Sequence, residues 1–206
     1  NDIESRTSAA AEQAAAPYYR LSDATLRCLL GMETERLKYL LQEFIAKEKG
    51  TRAPFAITAV ERNLRYACAG IELDLQIDRV DRLEDGSSLI IDYKTGASKG
   101  LFTRQGEIVE LQPVVYSCAW PDSVGGLVLI NVDRRVISYR GASKSRQWDR
   151  PEMEDWPERL NGWQQLVHSA MHSIAKGDLR VNLSLATDKS RPLALLSRVE
   201  EIRRGY

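Results

Sequence analysis

Two aspartates and a lysine have types and spacings that could carry hydrolytic chemistry. Asp78 lies in one β-prone segment, and Asp92 and Lys94 lie in the next. Side chains two residues apart on a strand share a face, so Asp92 and Lys94 would project together. Carboxylates that repel each other on adjacent strands are relieved by a shared proton or by a hard divalent cation. The nearby lysine favours a metal-assisted site.

Whether Asp78 faces Asp92 depends on the turn between the two predicted strands. Alternating apolar and polar residues over 71–78 predict a half-buried strand, and the apolar run before Asp92 is its hairpin partner. A three-residue loop at 84–86, with Gly86 left-handed, places Asp78 opposite Asp92. A two-residue loop would shift the register by one residue and turn Asp78 to the other face.

With the first register, Asp78, Asp92 and a backbone carbonyl next to Asp92 would hold Mg²⁺. Such an ion polarises a phosphoryl oxygen and lowers the pKa of a bound water, and Lys94 would orient that water or neutralise developing charge. The alternative is a set of surface ion pairs on an exposed hairpin, each worth less than ~1 kcal/mol. It would involve Asp78, Arg79, Asp81 and Arg82.

The remaining pattern predicts the elements that position these residues. Apolar residues at helical spacing follow Ser22, in two helices or in one broken near Gly31. A short helix begins near Gln112, a second hairpin covers 127–139, and a helix with one apolar stripe ends before Gly177. This order indicates an α/β fold with a mixed central sheet flanked by helices.

Composition narrows the class of protein. The 206 residues include 29 basic and 29 acidic ones, so a polyanionic partner would have to bind a local patch of basic residues. No apolar run reaches the roughly 20 residues that span a bilayer, and the amino-terminal residues do not resemble a signal peptide. Three cysteines suggest neither a disulfide framework nor a metal knuckle. We expect a reduced, cytoplasmic chain without a membrane partner, and a carboxy-terminal piece of something longer.

The spacing G-x₇-D-R-V-D, then I-I-D-Y-K-T-G and L-Q-x₃-Y, resembles the RecB-type branch of the PD-(D/E)XK nuclease superfamily. The resemblance implies a restriction-endonuclease-like core in which Asp78 and Asp92 bind Mg²⁺ or Mn²⁺ and Lys94 is catalytic. It also implies that Gln112 and Tyr116, on one face of a helix, line the site or contact DNA. Asp81 is expected to support the hairpin by pairing with Arg79 or Arg82.

The chain also resembles nuclease domains of bacterial DNA repair proteins that are similar to AddB-type subunits of helicase-nuclease complexes. This implies a DNA exonuclease in repair or recombination, with DNA and a helicase or helicase-nuclease subunit as partners. The alternative is a non-catalytic DNA-binding or scaffolding module that partners a helicase. We expect a linker over 1–20, a helical lead-in over 21–49, a nuclease core over 50–180 and an extension over 181–206.

Several other residues have two interpretations. No iron-sulfur cluster is expected, because residues 180–206 contain no cysteine. His168 and His172 could hold a transition metal or simply flank a helix. Tryptophans 148, 156 and 163 could stack on bases or pack in the core. A basic set could meet DNA phosphates or form a solvated rim; it comprises Lys99, Arg104, Arg134, Arg135, Lys144, Arg146 and Arg150.

Overall fold

The structure is a computed structural model that describes residues 2–20, 23–95, 100–102, 108–132, 136–148 and 152–178. Its described strands form one mixed sheet with helices on both faces, in agreement with the predicted α/β class. The strands are β1 (Phe55–Cys68), β2 (Ile71–Leu83), β3 (Ser88–Thr95), β4 (Val124–Val132) and β5 (Ile137–Ser143). The helices are α1 (Asp2–Ala15), α2 (Ala24–Thr51), α3 (Gln112–Ala119) and α4 (Trp156–Ala175).

The strands lie in the order β1-β2-β3-β4-β5. All neighbouring strands are antiparallel except β3 and β4, which are parallel and are joined through α3. A parallel pair needs a crossover connection, and α3 supplies it on one face of the sheet. The carboxyl end of β3 therefore lies beside the carboxyl end of β4 and close to the start of α3.

The β2–β3 turn has the three-residue form, which is the alternative that places Asp78 opposite Asp92. The Leu83 amide donates to the Ser87 carbonyl at 2.8 Å, and Gly86 has a φ of 81°. Glycine adopts this left-handed conformation without a steric penalty, which explains its place in the loop. Arg79 then pairs with Ile91, the register that the three-residue loop requires.

Two apolar layers enclose the sheet. On one face, Val80 and Ile90 pack with Val114 of α3 and Val167 of α4. On the other face, Leu40 of α2 joins a cluster that contains Ile91, Val128 and Trp148. Because β3 is covered on both faces over residues 88–92, its apolar residues Leu89, Ile90 and Ile91 follow one another without polar alternation.

The amino-terminal residues are more helical than the sequence pattern indicated. Within the predicted linker over 1–20, Asp2–Ala15 is an α-helix and Ala16–Arg20 forms a 3₁₀ turn. Alanine has the highest intrinsic helix propensity, which favours a helix in this alanine-rich segment. The helix packs against α2. The expected break near Gly31 is absent, because α2 is continuous and begins where the Asp23 carboxylate accepts a hydrogen bond from the Leu26 amide. A single glycine costs about 1 kcal/mol in a helix, which the remaining turns outweigh.

Strand β1 was not predicted from the sequence. It pairs along most of its length with β2, but most of its residues are exposed and its register is interrupted between Ile57 and Ala59. Glu61 also has a φ of 48°, which disturbs the alternation of the two faces. An edge strand with little burial and an irregular repeat lacks the period-two signal on which strand prediction depends.

None of the helices in the described part of the chain combines the length and the apolar character that a membrane span requires.

A buried ion cluster, formed by Glu48, Arg52, Arg79 and Asp81, fixes α2 to β2. Asp81 is fully buried and lies 2.7 Å from Arg79 Nε and 2.6 Å from Arg52 Nη1. Glu48 contacts the same two arginines at 2.8 and 3.0 Å. Two cations and two anions balance each other, which offsets part of the cost of removing them from water.

Candidate active site

Asp78 and Asp92 meet at the end of the β2–β3 ladder, as the register predicted. The last recorded pair is Arg79 with Ile91, so the next residues on the two strands are Asp78 and Asp92. The Tyr93 amide donates to Asp78 Oδ2 at 2.7 Å, which fixes the Asp78 carboxylate beside the backbone that follows Asp92. The three-residue turn therefore brings the two predicted metal-ligating carboxylates together.

Lys94 lies on the same face of β3 as Asp92. Its ammonium nitrogen is 2.9 Å from Asp92 Oδ2 and donates to Gln112 Oε1 at 2.7 Å. Gln112 Nε2 in turn donates to the Tyr116 hydroxyl, one helical turn further along α3. All five predicted site residues are thus joined by hydrogen bonds, ion pairs or adjacency on paired strands.

The Asp92 carboxylate is held in an unusual environment for an ionised group. It is 2% exposed, and burial is the main reason why the pKa of Asp92 is raised. The Lys94 ammonium opposes this rise, whereas the charges of Asp78 and Glu110 add to it. Lys94 Nζ lies 2.9 Å from Oδ2, and no other described residue donates a hydrogen bond to this buried oxygen. An extra positive charge at the site would stabilise the ionised form.

The donor set fits a hard divalent cation. Mg²⁺ is commonly bound through one or two carboxylates and keeps several waters or substrate oxygens. Asp78 and Asp92 supply such carboxylates, and Asp92 Oδ2 has no described partner besides the Lys94 ammonium. Among the described residues, no group of three or more His, Cys, Asp or Glu side chains is arranged to hold a metal. A cation here would therefore take its remaining ligands from water, backbone or substrate.

Two further residues at this site were missed in the sequence. Asn131 pairs with Lys94 across the parallel β3–β4 ladder and is buried, and its Oδ1 accepts no hydrogen bond from the described residues. In the sequence, Asn131 is marked only as the one amide side chain within the apolar strand β4. Glu110 contributes negative charge at both Asp92 and Tyr116. It lies in the segment before α3, where the sequence offers no periodic pattern.

The buried ion cluster is connected to the candidate site through Tyr93. Arg79 Nη1 donates to the Tyr93 hydroxyl at 3.2 Å, and Tyr93 is the residue whose amide holds Asp78. Asp81 pairs with Arg79, as expected, and also with Arg52, whereas Arg82 is exposed. The alternative of surface ion pairs is therefore wrong for Arg79 and Asp81, which are buried.

The structure gives the surroundings of several other candidate residues. Trp156 is buried against the sheet, Trp148 donates to Glu48 at 2.9 Å, and Trp163 stacks on Phe102. His168 stacks against Tyr66, with ring centroids 6.3 Å apart. Lys144 pairs with Asp85 at 2.7 Å, and Arg146 is exposed. Five predicted rim cations lie outside the described residues: Lys99, Arg104, Arg134, Arg135 and Arg150.

Comparison with known proteins identifies the family. The family model of the PD-(D/E)XK nuclease superfamily matches residues 2–187. The chain is also similar to the crystal structure of SSO0001, with 17% identity over 76% of this chain and 70% of that chain and a TM-score of 0.33. No curated protein matches the sequence significantly. On the extent of the family match, this chain belongs to the PD-(D/E)XK nuclease superfamily.

Proposed function

We propose that the chain is a Mg²⁺- or Mn²⁺-dependent deoxyribonuclease domain that acts as an exonuclease in DNA repair or recombination. Superfamily membership supports nuclease chemistry. The single observation that carries the proposal is the convergence of Asp78, Asp92 and Lys94 at one end of the sheet. The resemblance to RecB-type nucleases supports DNA as substrate, exonuclease action and a helicase-containing partner in the cytoplasm.

The carboxylates would provide the anionic ligands of the site. A bound Mg²⁺ or Mn²⁺ would polarise a phosphoryl oxygen and lower the pKa of a coordinated water. Asp78 is held by the Tyr93 amide and Asp92 by its packing, so neither carboxylate has to be ordered when a cation or substrate arrives. Such preorganisation reduces the cost of binding.

Lys94 would act on the attacking water or on the charge that develops at phosphorus. Its ammonium group is fixed by two partners, Asp92 and Gln112, and its side chain remains 26% exposed. A fixed cation beside a phosphate stabilises the more highly charged transition state. Gln112 acts as a positioning residue in this scheme, because its oxygen holds the lysine while its amide nitrogen is held by Tyr116.

Cleavage of end-labelled DNA tests the proposal. The full chain is incubated with single- and double-stranded DNA and Mg²⁺ or Mn²⁺, beside the variants Lys94→Ala and Asp92→Ala. Lys176→Ala, an exposed lysine at the end of α4, is the matched control. We expect cleavage by the parent and the control and none by the two site variants. Cleavage that survives Lys94→Ala would refute the assigned chemistry, and DNA binding without cleavage would favour the scaffolding alternative.

Thermal unfolding tests the metal site without relying on activity. A ligand that binds only the folded state adds about 2.7 kcal/mol at 100 times its dissociation constant. Mg²⁺ or Mn²⁺ should therefore raise the Tm of the parent chain but not that of Asp78→Ala or Asp92→Ala. An equal rise in all three proteins would place the cation elsewhere.

A further inference from the structure

A groove that begins near Asp78 and extends to the β2–β3 turn has no part in the chemistry proposed above. It encloses about 610 Å³ between β1, the β2–β3 hairpin and the residues that follow α3. Val60, Arg62, Arg82, Ser88, Trp120 and Asp122 are among its lining residues. The groove thus combines cationic, hydroxyl, apolar and aromatic groups on one surface.

The charge of the groove favours an anion. Arg62 and Arg82 are both exposed, and neither pairs with a carboxylate in the described part of the chain. Asp122 is the only carboxylate among the described lining residues, so two guanidinium groups face one negative charge. Guanidinium groups bind phosphate oxygens through two parallel hydrogen bonds. This surface therefore complements a phosphodiester backbone.

The groove also offers a fixed aromatic surface. Trp120 lies just beyond α3, and its indole nitrogen donates to the Ser88 hydroxyl at 2.9 Å. The ring is partly exposed, and the 63% exposed side chain of Val60 lines the same groove. Unpaired bases stack on such aromatic rings with little dependence on sequence. Bases in a duplex present only their edges in the grooves, so this feature favours a single strand.

The groove follows the same elements that form the candidate site. Val60 pairs with Arg79 and Arg62 pairs with Ile77, so Asp78 lies on the neighbouring strand between these two pairs. Adjacent strands are about 4.8 Å apart. At the other end of the groove, Arg82 and Ser88 pair next to the β2–β3 turn and Trp120 lies beyond the carboxyl end of α3, each about 12–13 Å along its element from the site. A DNA strand that leaves the site at Asp78 would therefore pass Arg62 first and reach Arg82 and Trp120 further along the groove.

We propose that this groove binds the single-stranded DNA next to the scissile phosphate. Arg62 and Arg82 contact its phosphates, and Trp120 stacks on an unpaired base. The proposal rests on the proposed function for the identity of the nucleic acid, and it names the form of DNA that the site takes. Arg62 and Arg82 are not among the basic residues that the sequence indicated as possible phosphate contacts.

Binding of a fluorescein-labelled 20-nucleotide oligo(dT) to the full chain in EDTA tests the groove without cleavage. The groove variant is Arg62→Ala/Arg82→Ala, and the matched control is Arg20→Ala/Arg65→Ala, which removes two exposed arginines outside the groove. Each phosphate contact to a single strand contributes about 0.7 to the slope of log K against log salt, so the groove variant should lose about 1.4 from it. We also expect roughly 10-fold weaker binding than in the control.

Trp120→Phe and Trp120→Leu test the stacking surface. The phenylalanine retains a ring and should bind more tightly than the leucine, and circular dichroism establishes that both variants are folded. Equal affinity and salt slope for the groove variant and the control would overturn the proposal. Equal competition by a duplex of the same length would overturn the single-strand assignment.

The nuclease assay separates the two proposals. If the parent chain cleaves DNA but the groove variant binds like the control, the groove assignment is wrong and the nuclease proposal stands. If binding depends on Arg62 and Arg82 but no cleavage is detected, the groove assignment stands and the nuclease proposal is wrong.

Discussion

Removing the Asp81 charge should destabilise the fold far more than the same change elsewhere on β2. Asp81 is fully buried and contacts both arginines of the buried ion cluster. Asp81→Asn would leave Arg52 and Arg79 with the single carboxylate of Glu48. Breaking a buried ion pair in this way costs about 3–5 kcal/mol. For a chain of this size, each kcal/mol lowers the Tm by about 2–4 °C, so a decrease of about 6–20 °C is expected.

Asp74→Asn is the matched control for this prediction. Asp74 lies on the same strand and contacts Arg65 at 3.3 Å, but its side chain is 87% exposed. An exposed ion pair contributes about 0–1 kcal/mol, because solvent screens the charges. Denaturant and thermal unfolding of both variants would provide the comparison. Equal destabilisation by the two substitutions would refute the reasoning that burial makes this cluster important.

A second substitution in the cluster sharpens the test. Arg52→Met in the Asp81→Asn background removes one unbalanced cation and leaves Arg79 with Glu48. If the loss of stability arises from unbalanced buried charge, the double variant should be more stable than the sum of the two single changes predicts. Additive effects would show that packing, rather than charge, accounts for the loss.

Three other predictions concern the site and the fold. Gln112→Ala should lower the single-turnover rate constant of DNA cleavage by up to about 10²-fold, because Lys94 loses the oxygen that positions it. Burial alone would raise the pKa of Asp85, but hydrogen bonds from Lys144 and Ser87 outweigh it and lower this pKa from 3.8 to about 2. Ionised Asp85 therefore stabilises the fold fully above pH 3.8, and Asp85→Asn should unfold more easily there but resemble the parent below about pH 2 in denaturant titrations. Gly162→Ala in α4 should raise the free energy of unfolding by about 0.5–1 kcal/mol, since the added Cβ meets no atom within 4 Å and alanine favours the helix; calorimetry would measure the gain.

Local patterns in the sequence were sufficient to predict much of the sheet and the principal site residues. The alternation before Asp78 and the glycine at position 86 predicted the hairpin, and the length of its turn, which the sequence left open, set the register. Those are short-range properties of the chain, because a turn of defined length fixes which residues face each other. The i and i+4 spacing of Gln112 and Tyr116 likewise predicted their contact on α3. The division of the chain into linker, lead-in, core and extension stays a prediction.

Other features depend on residues that are distant in the sequence. Glu48 and Asp81 are separated by much of the chain, yet they share the same two arginines in the buried ion cluster. Strand β1 is recognisable only by its pairing with β2, since its own burial pattern is weak. Asn131 joins the site because β4 runs parallel to β3.

Which charged residues are buried and which are exposed is also decided only in the folded chain. The sequence contains many arginines, but packing buries Arg79 in an ion cluster and leaves Arg62 and Arg82 beside one groove. Neither burial nor the set of neighbours can be read from a local pattern, because both depend on which distant elements meet. The sequence therefore determined the candidate site residues and their hairpin, whereas the tertiary structure decided what surrounds and supports them.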